Sequence, residues 1–379
     1  MHINSFFMRS SAHADIARMF SPRSGHSSHH GPHGKSHQAH SHRAQAPGQN
    51  APLRDAMKAI FEVLHGTSAS TMRVHIRQSY GVTGIVVDGS DGDDAISFSS
   101  HSTSPTRNLV RGGDGDDTIS FTATGATRQN VIEGGDGNDT ISASVERSGY
   151  AFGGAGNDAV AISGTNVMGL GGDGDDAIAV AGTRYATAYG GAGNDAISVA
   201  GEYVHARGGS GDDTIAAAGG LVRVDGGEGN DTISVSAEKT GRISGGAGDD
   251  VMTISTQDHV PLGYREMATI AENGRIAGGS IEGGEGNDFI TIDGEALVAF
   301  RAGDGQDTLT INDRTEFAIL GESWGDDILS LDTASFAFED GTLTVTWEGR
   351  EESLTIHAAG GGDMTLEMTS DRTFVLTPG

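Results

Sequence analysis

The sequence predicts an all-β solenoid, in which the chain coils about one axis and each coil adds parallel strands to its neighbours. Three observations predict this fold. A motif rich in glycine and aspartate, such as Gly134 to Thr140 (GGDGNDT), recurs from Gly89 to about Leu329. Between Gly134 and Gly245 it returns every 18 or 19 residues. Each copy is followed by alternating apolar and small polar residues, which is the pattern of a half-buried strand.

Nine full copies of the motif share one order: two glycines, a spacer, a third glycine, Asp or Asn, and then Asp. They begin at Gly112, Gly134, Gly153, Gly171, Gly190, Gly208, Gly226, Gly245 and Gly283. Weaker copies begin at Gly89 and Ala302, and a worn copy spans Glu322 to Ser330. Asp and Gly favour turns in any protein, but turn formation alone does not require so regular a spacing.

Each coil is predicted to have two strands. The first follows the motif, as in Ile197-Ser198-Val199, and the second carries an inward column of apolar or small residues two places before the next glycine pair, as at Ala206. The glycine loop forms one corner, and an ordinary turn such as Gly182-Thr183 forms the other.

One interval departs from this spacing. The interval from Gly245 to Gly283 is about twice as long as its neighbours, which gives it the length of two coils. The sequence therefore predicts an intervening coil at about residues 257–279 that lacks the glycine loop. A bulge or break in the column of loops is expected at that point.

The composition restricts the class of protein further. The chain of 379 residues has a formal net charge of −28, 60 glycines, 6% aromatic residues and no cysteine. Few aromatic residues argue against a large conventional core and favour an array whose coils bury apolar faces against each other. The absence of cysteine excludes disulfide bonds. The acidic charge disfavours nucleic acid as a partner and favours cations, and no stretch is apolar enough to predict a transmembrane helix.

The N-terminal part differs from the repeats. Residues 1–50 are rich in Ser, His, Pro and Gly and are predicted to form a disordered tail, whose histidines would bind zinc, nickel or copper or would simply be solvated. Residues 51–88 are predicted to hold a capping helix at Pro52 to His65 and then entry strands. A helix that binds a partner or a membrane is the alternative to the cap. No Sec signal peptide is predicted, because no continuous apolar core precedes a cleavage site.

The C-terminal part is predicted to be rich in β-strands. From about Thr333 the repeat is lost, and apolar and polar residues alternate through residues 333–379. Within it, Asp371 to Leu376 combines an acidic residue with a short apolar run.

The motif resembles the calcium-binding nonapeptide of RTX (repeats-in-toxin, haemolysin-type) proteins over about Gly89 to Ser330. The resemblance implies a right-handed parallel β-roll at residues 89–332, with Ca²⁺ held between the loops of successive coils. RTX β-rolls usually carry the motif on both sides of each coil, whereas here one side of each coil carries it. A single column of ions is therefore predicted. The loops contain no His or Cys, which disfavours zinc and copper.

The resemblance also implies which residues bind the ions. In that family the sixth-position aspartate is the principal carboxylate ligand, which here corresponds to Asp94, Asp117, Asp139, Asp158, Asp176, Asp195, Asp213, Asp231, Asp250, Asp288, Asp307 and Asp327. The other candidates are the first glycine of each full copy and the polar third- and fifth-position residues, namely Asp114, Asp116, Asp136, Asn138, Asn157, Asp173, Asp175, Asn194, Asp212, Asn230, Asp249 and Asn287. About ten Ca²⁺ ions would bring about +20 and reduce the formal charge of −28 to about −8.

The function implied is that of a non-enzymatic, secreted calcium-binding protein that folds on Ca²⁺ outside the cell. Its role would be structural or adhesive, at a cell surface or on an extracellular polysaccharide. The resemblance implies export by the type I secretion machinery, and Asp371 to Leu376 is similar to the C-terminal signal of such proteins, with a strand that closes the solenoid as the alternative.

Two other functions have less support in the sequence. An RTX toxin or bacteriocin that acts on membranes would need the long apolar segment that is missing here. A hydrolase would use Ser323 within Gly321-Glu322-Ser323-Trp324-Gly325, but this segment belongs to the worn repeat and not to the strand-to-helix turn that such a nucleophile needs. No HExxH sequence occurs, which excludes the corresponding zinc protease.

Overall fold

Coiled β-strands make up the described part of the chain. The computed structural model describes residues 73–79, 82–256, 280–294, 296–298, 304–311, 317–319, 334–359, 364–368 and 374–378. The predicted tail, the predicted capping helix at Pro52 to His65, the worn repeat with Asp327, and Ser323 all lie outside these residues. Every regular element within the described residues is a strand, which confirms the predicted all-β class.

The described strands vary from short segments to strands that span a whole coil. In chain order they are β1 (Arg73–Ser79), β2 (Val82–Asp88), β3 (Ala95–Asp114), β4 (Thr118–Thr127), β5 (Asn130–Asp136), β6 (Thr140–Val145), β7 (Ser148–Ala155), β8 (Ala159–Asp173), β9 (Ala177–Ala192), β10 (Ala196–Ser210), β11 (Thr214–Glu228), β12 (Thr232–Ala247), β13 (Val251–Thr256), β14 (Ser280–Glu285), β15 (Phe289–Asp293), β16 (Ala296–Val298), β17 (Gln306–Ile311), β18 (Phe317–Ile319), β19 (Ala334–Glu339), β20 (Thr342–Trp347), β21 (Ser353–Ala358), β22 (Met364–Met368) and β23 (Phe374–Pro378).

Successive coils pair in parallel along two layers of the solenoid. The first layer holds the strand segments that follow the glycine loops, and the second layer holds the segments that precede them. For example, β9 and β10 pair at Ile178↔Ile197 in the first layer and at Ala188↔Ala206 in the second. Parallel pairing of the same kind links β8 through β12. This arrangement confirms the predicted parallel solenoid and its coil length.

The apolar residues that alternate along each coil fill the space between the two layers. Ile197 and Val199 from the first layer and Ala206 from the second are at most 3% exposed. The equivalent residues of the other coils belong to the same continuous core. The predicted inward columns are therefore confirmed.

The corner opposite the glycine loops lies within continuous strands. β8 to β12 each continue from the first layer to the second, although the pairing shifts register near this corner between β8 and β9, between β9 and β10 and between β11 and β12. The predicted turn at Gly182-Thr183 accordingly lies within β9. We call this edge of the solenoid the second corner.

The prediction of an intervening coil at residues 257–279 is wrong. β12 pairs directly with β14, and β13 pairs directly with β15, so the flanks of this segment belong to neighbouring coils. Residues 257–279, which lie outside the described residues, separate the first-layer strand β13 from the second-layer strand β14. The extra length therefore enters at the second corner, and the column of glycine loops continues without the predicted break.

The ends of the solenoid have antiparallel partners. At the N-terminal end, β1 and β2 form an antiparallel hairpin, and β2 then pairs in parallel with β3. At the other end, β21 pairs in parallel with β17 and antiparallel with β20, while β23 pairs antiparallel with β18. The described C-terminal residues are thus rich in strands, as predicted. No helix of the described residues has the length and apolarity needed to cross a membrane.

Candidate metal centre

The sixth-position aspartates of the glycine loops form a continuous buried ladder. Each aspartate Oδ1 atom accepts a hydrogen bond from the backbone N–H of the equivalent aspartate in the preceding coil. Asp176 N–H donates to Asp195 Oδ1 at 2.8 Å, and Asp195 N–H donates to Asp213 Oδ1 at 2.7 Å. The ladder runs from Asp94 to Asp307, and every step measures between 2.7 and 3.1 Å. The step from Asp250 to Asp288 crosses the long interval at 2.9 Å.

The second carboxylate oxygen of most of these aspartates has no hydrogen-bond partner. These unpartnered, buried Oδ2 atoms belong to Asp117, Asp139, Asp158, Asp176, Asp195, Asp213, Asp231, Asp250 and Asp288. Leaving a buried carboxylate oxygen without a partner is costly, because water is lost and nothing replaces it. A column of such oxygens indicates that a cation belongs beside them.

In the loops of Asp117, Asp195, Asp213, Asp231 and Asp250, a backbone carbonyl oxygen lies close to the same point as the unpartnered Oδ2 atom. A Cβ atom built on Gly190, the first glycine of its loop, would lie 2.2 Å from Asp195 Oδ2 and 2.6 Å from the carbonyl oxygen of Gly208 in the next coil. Gly226 has the same surroundings, with Asp231 Oδ2 at 2.1 Å and a carbonyl oxygen at 2.2 Å. The first glycine is therefore required because a side chain would displace two oxygens that converge on one point.

The second and fourth positions of each loop require glycine for a different reason. Gly191 and Gly193 have φ angles of 138° and 120°, which side chains of L-residues rarely adopt. A Cβ atom on Gly191 would also lie 2.0 Å from the carbonyl oxygen of Gly172 in the preceding coil. The close approach of successive loops therefore depends on glycine at these two positions.

The fifth-position residues form a second ladder, which is exposed and points the other way. Asn194 N–H donates to Asp175 Oδ1 at 2.7 Å, and Asp212 N–H donates to Asn194 Oδ1 at 2.7 Å. Here each N–H group bonds to the preceding coil, whereas each sixth-position N–H group bonds to the following coil. The fifth-position side chains that were candidate ligands therefore use one oxygen in hydrogen bonds between coils.

The third-position candidates Asp114, Asp136 and Asp173 are exposed, whereas the sixth-position aspartates are buried. Within the described chain, no three Asp, Glu or His side chains come together in a group able to hold a metal ion. A cation beside the buried ladder would therefore need backbone carbonyl oxygens in addition to the carboxylates.

The sixth-position aspartate of the first coil has hydrogen-bond partners that the equivalent aspartates of most other coils lack. Both the backbone N–H and the hydroxyl of Ser90 donate to Asp94 Oδ2, at 2.6 and 2.9 Å. Ser90 stands where the full copies have their second glycine. Asp94 was a predicted ligand, but its Oδ2 atom is already satisfied by protein groups, unlike that of Asp117.

Burial raises the pKa of the sixth-position carboxyl groups from Asp117 to Asp307 well above the usual value of aspartate. The pKa of Asp158 is raised to about 6 and that of Asp195 to about 7, first by burial and then by neighbouring carboxylates, while the hydrogen bond to the ladder opposes the shift. The last group of the ladder, Asp307, has its pKa raised to about 8 for the same reasons. These values describe the metal-free array, in which charging the ladder is unfavourable.

Acidification is expected to stabilise the array when calcium is absent. A folded-state pKa of about 6 to 7 exceeds that of an unfolded aspartate, about 3.9, so the folded chain binds more protons between these values. The stabilisation is fully present below the unfolded pKa and is lost as the pH rises through the folded pKa. Far-UV circular dichroism in a calcium chelator should show more β-structure at pH 5 than at pH 7.5. Dilute samples are needed, because the sequence pI is about 4.7. Less β-structure at pH 5 would contradict this expectation.

A comparison with protein families gives the affiliation of these loops. The family model, which describes four copies of the RTX calcium-binding nonapeptide repeat, matches residues 104–121, 122–144, 207–237, 242–253 and 279–291. The matched residues include the loops that begin at Gly112, Gly134, Gly208, Gly226, Gly245 and Gly283. The matched loops are RTX, haemolysin-type calcium-binding repeats. A search of curated proteins gives no match.

The RTX array continues through coils that the family model leaves unmatched. Asp158, Asp176 and Asp195 lie between the matched segments, yet they occupy the same ladder and have the same unpartnered Oδ2 atoms. The structure therefore gives one array from the first to the last described loop.

The donors of the RTX array fit calcium. Ca²⁺ prefers oxygen ligands from carboxylates and backbone carbonyls, and both kinds of oxygen converge in loops such as that of Asp195. In the coil of Asp195, the groups that would hold the ion include Asp195 Oδ2 and the carbonyl oxygen of Gly208. Bound Ca²⁺ would supply the positive charge that offsets the buried carboxylates.

Proposed function

We propose that this RTX protein is secreted and non-enzymatic, and that its solenoid folds when Ca²⁺ binds outside the cell. Its role is then structural or adhesive, at a cell surface or in an extracellular matrix. The observation that carries the proposal is the column of unpartnered Oδ2 atoms from Asp117 to Asp288. A chain that has to bury these charges without cations would gain little by folding.

The number of ions follows from the same column. Nine sixth-position aspartates have an unpartnered Oδ2 atom within the described residues, so we propose about nine Ca²⁺ ions in the array, close to the ten expected from the sequence. Asp94 is not counted, because Ser90 satisfies its carboxylate.

Export by the type I secretion machinery fits this folding scheme, since RTX proteins typically use it and low intracellular calcium would keep the chain unfolded. Phe374 to Pro378 forms β23, which pairs with β18 and β22. That pairing supports the alternative role of this segment as a strand at the end of the folded solenoid. Both roles are compatible if secretion precedes folding.

Calcium titration of the purified chain tests the proposal. Far-UV circular dichroism should show a cooperative gain of β-structure as Ca²⁺ rises from micromolar to millimolar concentration. Magnesium at the same concentrations is the control and should give little gain, because Mg²⁺ dehydrates reluctantly and demands a more regular shell. A chain that is already folded in a chelator at pH 7.5 would overturn calcium-dependent folding. An equal response to magnesium would overturn its ion specificity.

A further inference from the structure

A groove lies at the second corner of the first coils, away from the glycine loops. It has a volume of about 800 Å³ and is lined by Thr106, Arg107, Arg128, Gln129, Glu146, Arg147, Ser148, Thr165 and Asn166. The coils that begin at Gly89 and Gly112 are longer than the coils between Gly134 and Gly245. The additional residues of these first two coils lie at this corner, where the pairing of β3 with β4 shifts register between Ser102 and Thr106.

Three arginines line this groove on three successive coils. The backbone N–H of Arg128 donates to the carbonyl oxygen of Thr106 at 2.7 Å, next to Arg107, and the backbone N–H of Thr165 donates to the carbonyl oxygen of Arg147 at 3.1 Å. The first bond places Arg128 beside Arg107, and Arg147 precedes Gly149 by the same two residues as Arg128 precedes Asn130, with which Gly149 pairs. The three arginines therefore lie on adjacent coils, whose strands are about 4.8 Å apart.

The groove is locally basic in a strongly acidic protein. Glu146 is the one acidic residue among those that line it, and its carboxylate accepts a hydrogen bond from the backbone N–H of Gly125. Three arginines against one glutamate give the lining a positive charge, although the whole chain has a formal net charge of −28. This contrast favours an anionic ligand.

Unpartnered polar atoms lie beside the arginines. Thr106 is 1% exposed, lines the groove, and its hydroxyl oxygen has no hydrogen-bond partner. Asn166 also lines the groove, and its side-chain oxygen has no partner. Because buried polar atoms are normally hydrogen-bonded, Thr106 and Asn166 leave unused hydrogen-bonding capacity at the wall of the groove.

Exposed aromatic rings continue the line beyond the groove. Asn166 pairs with Tyr185, and Tyr185 pairs with Tyr203, so the three residues occupy equivalent positions on successive coils. The two tyrosine rings stack with centroids 5.0 Å apart, and the residues are 43% and 39% exposed. The guanidinium carbon of Arg184 lies 5.0 Å from the centroid of the Tyr185 ring. Two stacked rings at the surface offer a flat apolar platform.

We propose that the second corner, from Arg107 to Tyr203, binds a linear acidic polysaccharide that lies along the solenoid axis. Guanidinium groups pair with carboxylate or sulfate groups in a bidentate manner. Hydroxyl and amide groups of the lining bond to sugar hydroxyls, and the C–H faces of sugar rings pack on the tyrosines. The proposal deepens the surface role proposed above and rests on it.

The dimensions and the charge both favour this ligand. From the coil of Arg107 to that of Tyr203 there are five steps of about 4.8 Å, or about 24 Å, which accommodates about five sugar rings. Duplex DNA carries one charge per about 1.7 Å of its axis, so the acidic array would repel it more strongly than a polysaccharide with about one charge per sugar. Nucleic acid is therefore the alternative that the experiment has to test.

Binding is measured by fluorescence anisotropy with a labelled oligouronate of about five sugars and the full chain in millimolar calcium. A neutral oligosaccharide of equal length and a single-stranded oligonucleotide are the comparison ligands. Arg128→Gln and Tyr203→Ala should each weaken oligouronate binding about tenfold, since each removes a direct contact. The matched control is Arg350→Gln, an exposed arginine that pairs with Glu352 away from the groove, and it should leave binding unchanged.

The outcomes separate this proposal from calcium-dependent folding. Circular dichroism of the same samples reports whether each variant is folded. A folded chain that does not bind the oligouronate, or that binds the neutral sugar or the oligonucleotide more tightly, would overturn the groove proposal alone. Equal weakening by Arg350→Gln would also overturn it, because general electrostatic attraction would then explain the binding. A chain that binds the oligouronate but is folded without calcium would support the groove and overturn calcium-dependent folding.

Discussion

Replacing Gly211 with alanine is expected to destabilise the calcium-loaded solenoid by about 3 kcal/mol or more. Gly211 is the fourth residue of its loop and has a φ angle of 123°. A Cβ atom there would lie 2.2 Å from the carbonyl oxygen of Gly193 in the preceding coil. The substitution therefore combines an unfavourable backbone conformation with an overlap against backbone, which cannot rotate away. Thermal unfolding in millimolar calcium measures the effect.

Gly92→Ala is the matched control for this substitution. Gly92 occupies the same position in the first loop, but a Cβ atom there would meet nothing within 4 Å, and its φ angle is outside the positive range. Alanine at this position should change the unfolding temperature little. If the two variants lose stability equally, the close approach of successive loops is not the reason that glycine is needed.

Asp195→Asn is expected to separate the two roles of the buried aspartates, which accept a hydrogen bond through Oδ1 and offer Oδ2 to a cation. The amide oxygen keeps the acceptor for the N–H of Asp176, which lies 2.8 Å from Asp195 Oδ1. The amide nitrogen takes the place of Oδ2, near the carbonyl oxygen of Gly208. Because burial raises the pKa of Asp195 to about 7, removing the charge should stabilise the calcium-free chain at pH 7.5. The Ca²⁺ concentration at the midpoint of folding (the calcium midpoint) should rise about tenfold, since a carboxylate ligand is lost.

Asp195→Ala should instead lower the stability of the folded chain both with and without calcium. It removes the acceptor for the buried N–H of Asp176, and an unsatisfied buried N–H costs about 1–3 kcal/mol. Calcium titrations followed by circular dichroism, with calorimetry to count the bound ions, distinguish the two variants. If Asp195→Asn binds as many ions as the unchanged chain, with the same midpoint, the Oδ2 atom is not a ligand.

Asp212→Asn is the matched control for the loss of one carboxylate. Asp212 belongs to the exposed fifth-position ladder, where its Oδ1 atom accepts from the N–H of Asn230 at 2.7 Å. Asparagine supplies the same acceptor, as Asn194 and Asn230 already do in the neighbouring coils. This variant should leave the calcium midpoint within about twofold of the original value.

The sequence was sufficient to predict the solenoid, because a strict spacing of glycine loops is compatible with few folds. It was not sufficient for the interval between Gly245 and Gly283, since an interval of doubled length fits either two coils or one coil with an insertion. The pairings of β12 with β14 and of β13 with β15 distinguish these possibilities. The spacing of the loops therefore predicts the number of coils where the spacing is constant, but not where it doubles.

For the candidate site, the sixth-position aspartates that the motif singles out are buried in the array, and their role as calcium ligands stays a prediction. The separate role of the fifth position could have been inferred from its mixture of Asp and Asn, as at Asp175 and Asn194, because a hydrogen-bond acceptor is present in both. Ser90 was a further signal, since a hydroxyl replaces a glycine there. The column of Arg107, Arg128 and Arg147 could not be read from spacing, because unequal coil lengths hide it.

The direct step from Asp250 to Asp288 has a consequence for how such a protein changes over evolutionary time. Each glycine loop has to stack on the loop of the preceding coil, so every position of the motif is constrained. The opposite corner only has to bring the chain back, and it does so equally well after an ordinary coil or after one of twice that length. New segments can therefore be inserted at the second corner without changing the number of calcium-binding loops. Diversification of partners and preservation of the calcium column are then independent.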